Sequence, residues 1–251
     1  MEDENCSGGV CEIKRDKPLE RLSQIRSRIN ALTVQHGRPA DSCILLPVTK
    51  TVPIDVLKEL CRAGRQIFGE NKVQELKLKR QSLNSDQVGW HFIGYLQTNK
   101  VKECIKDVEL LHSLDRLNLA ISLDKALQKE NRVLDVLVQV NTSGESSKFG
   151  VHPDDAMELV RKLARFDTIK IKGLMTLARF SDDKDIVRTC FRKLKSLSDI
   201  LRNESIAGVE MNELSMGMSS DFEIAIEEGS TIVRVGEAIF GKRSLPHTYY
   251  W

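Results

Sequence analysis

The chain has 251 residues, with 38 Lys and Arg against 36 Asp and Glu and a formal net charge of +2 at pH 7. No bulk field therefore argues for nucleic acid or an anionic membrane as a partner. Hydrophobic residues make up 41% and charged ones 29%, an ordinary globular composition, and no apolar run approaches the roughly 18 residues of a membrane-spanning helix.

Six cysteines form no CxxC pair and no metal-ligand spacing, which suits a reducing compartment. Residues 1–17, MEDENCSGGVCEIKRDK, are polar and start acidic, unlike a secretory signal or an arginine-rich transit peptide. They read as a flexible tail carrying Cys6 and Cys11 as exposed thiols, in a protein of the cytoplasm. Leu19, Leu22, Ile25, Ile29 and Leu32 then recur at helical spacing. The next stretch, Cys43 to Pro53 (CILLPVTKTVP), is an apolar run ending on Lys50, which predicts a buried strand over 43–49 with the lysine at its carboxyl end.

Further strands are predicted over 66–68, 88–93, 108–112, 133–140, 169–175, 210–214 and 231–235, with helices between them, including 98–105 and the charged segment 184–203. Strict alternation implies parallel strands joined by crossovers, and eight such units in this length give a single (β/α)8 barrel. An open doubly wound sheet usually carries a glycine-rich turn after its first strand, and no two glycines here are spaced as G-x-G. One barrel over 18–243 is expected, with a C-terminal tail at 244–251.

A barrel binds its ligand at the carboxyl ends of the strands. An ammonium among apolar neighbours there must find a carboxylate or lose its proton. A pKa lowered by about three units from roughly 10.4 would raise the neutral fraction of Lys50 about a thousandfold, as Schiff-base chemistry with an aldehyde requires. The other strand-end segments are rich in small and amide residues, including Gly69-Glu70-Asn71 and Asn141-Thr142-Ser143-Gly144. These suit an anion such as a phosphate.

The loops after the last two strands, SMGMSSD (Ser215–Asp221) and VGEAIFG (Val235–Gly241), lie where this fold builds phosphate sites. Ser219 and Ser220 precede a helix containing Phe222 to Ile226, although a helix start without ligand reads the same way. Arg234 ends the last strand as a fixed cation, available to a pyridine nitrogen or to a rim carboxylate. An aldehyde-binding lysine, a phosphate cup and a facing cation together match pyridoxal 5′-phosphate (PLP).

VTKT around Lys50, FGENKVQE (Phe68–Glu75), WHFIGYLQTNK (Trp90–Lys100), SLDR (Ser113–Arg116), KFG (Lys148–Gly150), GLMT (Gly173–Thr176), LSMGMSSD (Leu214–Asp221) and GSTIVRVG (Gly229–Gly236) stand in order along the chain. Together, from about residue 18 to Arg243, they resemble the pyridoxal phosphate homeostasis protein family, also called the YggS or PROSC family. The resemblance implies a barrel like the N-terminal domain of alanine racemase, PLP fold type III. It implies PLP held on Lys50 as an internal aldimine and Asn71 lining the pocket. Ser219, Gly236 and the backbone at Glu237 would hold the phosphate, with Arg234 facing the ring nitrogen. Glu237 departs from the Thr or Ser usual after the VRxG glycine, and its carboxylate would repel a phosphate unless turned outward. Val48-Thr49-Lys50 replaces the family's VSK.

The resemblance further implies a non-catalytic protein that maintains intracellular vitamin B6 and delivers PLP to apo-enzymes. The expected partners are PLP and PLP-dependent apo-enzymes, with no nucleic acid and no membrane, for a chain acting as a monomer. The alternative is a fold-type III enzyme, racemase- or decarboxylase-like, acting on an amino acid. A racemase of this fold needs a second base, usually a tyrosine on an added β-domain, whereas the only tyrosines here are Tyr95, Tyr249 and Tyr250. An arginine at the ring nitrogen would also weaken the electron sink of carbanion chemistry.

Other features read as structural. GEAIFGKR (Gly236–Arg243) lacks the Ser or Thr of a phosphate loop, and no helix is expected after it. His91 and His112 have no zinc spacing and read as core or rim residues. Lys148 sits on a loop and is expected to be solvated. The Arg161, Lys162, Arg165, Lys170 and Lys172 cluster lacks the interleaved aromatics of an RNA surface.

Overall fold

A computed structural model describes residues 17–83 and 85–241. The expected tails, with Cys6, Cys11, Tyr249 and Tyr250, therefore lie outside the described residues, apart from Lys17, where the first helix begins. The order is α1 (Lys17–Gln35), β1 (Ile44–Pro47), α2 (Ile54–Arg62), β2 (Gln66–Glu70), α3 (Val73–Ser82), β3 (Val88–Phe92), α4 (Val101–Cys104), β4 (Val108–Leu114), α5 (Leu117–Lys129), β5 (Leu134–Gln139), α6 (Ala156–Leu163), β6 (Ile169–Met175), α7 (Lys184–Asn203), β7 (Val209–Ser215), α8 (Phe222–Glu227), β8 (Ile232–Val235) and α9 (Glu237–Phe240).

The eight strands form one sheet in the order β1-β8-β7-β6-β5-β4-β3-β2, and the pairs are parallel. The first and last strands are neighbours, with Leu46 beside Arg234 and Pro47 beside Val235. The ring closes between β1 and β2 through an isolated bridge, Val48 with Gly69, and through the Thr49 N–H, which donates to the Gly69 carbonyl at 3.0 Å. This is the expected (β/α)8 barrel, nearly closed, with short pairings at the β1–β2 seam and between β7 and β8.

Side-chain alternation along the strands makes two apolar layers. Leu46, Leu110, Leu137, Met175 and Ile232, from five different strands, form a cluster of their own inside the ring. A larger cluster joins the outer strand faces to helix residues such as Leu57, Leu76, Leu123, Val160 and Leu194. Each such fully buried aliphatic side chain contributes about 1.5–3 kcal/mol. Among the described residues, no helix is long and apolar enough to cross a membrane.

Three expectations need correction. The strand predicted over 43–49 spans only Ile44–Pro47, because the chain turns at Thr51, whose φ is +65°; Lys50 thus lies in a turn beyond the ladder. Ser113 and Leu114, expected in a loop, belong to β4, and the Ser113 hydroxyl donates to the Gly94 carbonyl at 2.6 Å. The helix expected over 98–105 divides into a 3-10 turn, Thr98–Lys100, and α4. The helix over 184–203 is as expected.

Candidate cofactor-binding site

Lys50 is half-buried in the turn after β1. Its neighbour Thr49 is fully buried, and the Thr49 hydroxyl donates to Glu70 Oε1 at 2.5 Å. Glu70 ends β2 with its side chain fully buried, facing Lys79 Nζ of α3 at 2.7 Å. Burial pushes the Glu70 carboxyl up to about 7 against the pull of Lys79, and its second oxygen, Oε2, has no hydrogen-bond partner. Glu70 had been expected in a loop. Lys79 gave no signal, since it stands in the run LKLKR as one more basic residue of a helix.

At the other side of β1, the loops after β7 and β8 meet. The backbone N–H groups of Gly236 and Ala238 both donate to Ser219 Oγ, at 3.3 and 3.4 Å. These long bonds bring a hydroxyl and two amide donors to one place. The Glu237 side chain between them is exposed. Sequence reasoning chose Gly236 and the backbone at Glu237; the amide that reaches Ser219 alongside Gly236 is that of Ala238. Asp221 accepts from the Met218 N–H at 2.6 Å and braces the loop. Gly217 is required there: its φ is +96°, and a Cβ would stand 2.6 Å from that of Ala225.

Arg234 lies on the same strand face as Ile232, pointing into the ring. It is buried, donating from Nη1 to Ser215 Oγ at 2.6 Å and from Nη2 to the Thr176 carbonyl at 2.8 Å. Burial draws its guanidinium down to about 10, opposed by Asp221, so it stays charged at neutral pH. Ser215 Oγ lies 2.9 Å from His112 Nδ1, and His112 Nε2 lies 3.1 Å from His91 Nδ1. Arginine can only donate, so the Ser215 oxygen accepts from it and its proton is free to go to His112 Nδ1. That assigns the proton of His112 to Nε2, which donates to His91 Nδ1. Burial lowers both imidazoles, His91 to about 4 and His112 well below its usual value, where His91 and Arg234 add repulsion. The two are core residues, as expected, but partners of each other. Among the described residues no cluster could hold a metal.

Asn71 follows β2, and its carbonyl approaches Gly94 so closely that a Cβ there would stand 2.1 Å from it. Lys148, expected to be solvated, donates to the Ala178 carbonyl at 2.7 Å and pairs with Glu145 at 2.9 Å. Lys50, Asn71, Ser219, Arg234 and Gly236 all follow or end strands at one mouth of the barrel. Ser215 and Thr176, which seat Arg234, were legible only as strand-end residues.

The donors at this mouth fit a phosphorylated aldehyde: hydroxyl and amide donors for the phosphate, an amine for the carbonyl, and a cation with N–H groups beyond the two already used. The family model for the alanine racemase N-terminal domain matches residues 21–244. A pyridoxal phosphate homeostasis protein of Aquifex aeolicus is 46% identical over 224 residues, 89% of this chain and 97% of that one. The structure of PipY from Synechococcus elongatus with PLP bound is 31% identical, with a TM-score of 0.77 over 89% of this chain and all of the other. An alanine racemase of Clostridium difficile, 15% identical with a TM-score of 0.70, matches 92% of this chain and 57% of its own; that likeness concerns the fold alone.

Proposed function

Given that this chain belongs to the pyridoxal phosphate homeostasis protein family, we propose that it binds PLP at the mouth of the barrel and serves to hold and deliver it rather than to turn over an amino acid. The bound cofactor supplies an aldehyde that forms a Schiff base with a lysine amine. The observation that carries the reading is the pairing of β1 with β8, which sets the turn holding Lys50 beside Gly236 and the Ser219 cup. In this reading Lys50 supplies the amine and Asn71 lines the pocket. Ser219 and the N–H groups of Gly236 and Ala238 bind the phosphate, while the exposed Glu237 carboxylate stays in water.

Arg234 would face the ring nitrogen of the bound cofactor. Its own guanidinium is held by Ser215 and the Thr176 carbonyl, and a lasting cation at that atom keeps a proton off it. This weakens the electron sink that amino-acid enzymes use and supports a carrier. The relatives' names agree, being those of homeostasis proteins rather than enzymes. Apo-enzymes that need PLP are the proposed recipients, and the monomer the proposed form.

The test is the visible spectrum of purified protein with PLP, followed by borohydride reduction and peptide mapping, with Lys50→Ala in parallel. A band with the reduced adduct on Lys50, both lost in the variant, is expected. An adduct on Lys148 that survives Lys50→Ala would refute the site.

A further inference from the structure

Lys50 lies outside the strand ladder, in a turn where the Thr49 N–H donates to the Gly69 carbonyl at 3.0 Å and the Val52 N–H to the Thr49 carbonyl at 2.9 Å. The peptide groups on both sides of Lys50 are also held by α3. The Thr49 carbonyl, in the peptide group before Lys50, accepts from Lys79 Nζ at 2.5 Å. The Thr51 N–H, in the peptide group after Lys50, donates to Glu75 Oε1 at 2.5 Å. Lys79 Nζ also donates to that same Glu75 oxygen at 2.7 Å, which closes a ring of contacts around the Lys50 main chain.

Two further observations show that this ring is built rather than incidental. Thr51 is a β-branched residue at φ +65°, a conformation that costs about 1–3 kcal/mol and persists only where neighbours over-determine it. Lys79 is 3% exposed, and its three N–H donors meet three acceptors: the Thr49 carbonyl, Glu70 Oε1 and Glu75 Oε1. A buried ammonium is tolerated when fully paired in this way.

We infer that Lys79 and Glu75 are positioning residues for the cofactor lysine: by gripping the peptide groups on both sides of Lys50 they aim its amine at the mouth of the barrel. The inference rests on Lys50 being the cofactor lysine. It adds an element with no contact to the cofactor, a helix behind the seam, to the machinery that binds it.

The experiment follows the growth of the visible band after mixing PLP with wild type, Glu75→Ala, Glu75→Gln, Lys79→Met and Lys50→Ala, across pH 6–9. Melting temperatures are recorded in parallel, and borohydride mapping finds the modified lysine. Misplacing a reacting group by about 1 Å costs up to a hundredfold in rate, so Glu75→Ala and Lys79→Met are expected to form the Lys50 band at least about tenfold more slowly, with a displaced pH profile. Glu75→Gln keeps an acceptor for the Thr51 N–H and is expected to recover to within about threefold of wild type. Glu75 is partly exposed, so its variants carry the test even if Lys79→Met fails to fold. Glu75→Ala with a lower melting temperature but the wild-type rate and pH profile would overturn the inference alone. A band that survives Lys50→Ala would overturn the cofactor-lysine reading and this inference with it.

Discussion

Acidification should draw stability from this barrel through its histidine pair. His91 and His112 are buried and neutral: burial lowers His91 from the ordinary 6.5 to about 4 and holds His112 well below that ordinary value. Between pH 6.5 and about 4 the unfolded chain therefore binds up to two more protons than the native one, so stability is fully present above 6.5 and falls as pH drops. At pH 5 His91 removes about 2 kcal/mol relative to pH 8, and His112 acts in the same direction. Glu70 works in the opposite sense: its raised carboxyl takes up a proton in the native state first, adding stability as pH falls from about 7 towards 4.5. The assay is urea unfolding at pH 8 and pH 5. His91→Asn keeps an acceptor for the His112 N–H without titrating, so the loss between the two pH values should shrink by about 2 kcal/mol. Glu70→Gln should enlarge that loss by about as much. An unchanged pH dependence in His91→Asn would refute the assignment of a neutral, buried pair.

Other expectations are simpler. The Ser198 hydroxyl is buried within α7 with no partner, so Ser198→Ala should raise stability by about 1 kcal/mol in denaturant titration. Gly94→Ala would drive a methyl into the Asn71 carbonyl, and a loss of more than about 3 kcal/mol is expected, read as a lower urea midpoint or as insoluble protein. Glu237 is exposed, where salt screens its charge, so Glu237→Thr should change PLP affinity, measured by equilibrium dialysis, less than about threefold at physiological salt.

The barrel was legible because its signals are periodic and local. Apolar runs such as LLHSL alternate with helical patterns such as that over 184–203, and eight repeats of that alternation leave little room for another topology. The loops that follow the last two strands were legible by position, and Lys50 by being a lone charge at the end of an apolar run. What escaped the sequence depends on contacts between distant segments. Nothing in LKLKR marks Lys79 as buried; its environment is set by Glu70 and Thr49, which reach it only once β1 and β2 have closed the ring. His91 and His112 stand 21 positions apart and meet because β3 and β4 are neighbours. The strand predicted through Thr49 was too long for a related reason: hydropathy marks where a chain is buried and carries no sign of a threonine in the left-handed region.

The pairing of the first strand with the last also bears on how the protein is made. A ribosome produces the Lys50 turn well before the strand that flanks it, Ile232–Val235, and the amides of Gly236 and Ala238. Until those emerge β1 has an unpaired edge, and the proposed phosphate cup is not assembled. In the proposed reading, a chain stalled before Ile232 carries the lysine amine without the donors that would retain its ligand, so capture of the cofactor requires that the first and last strands have met.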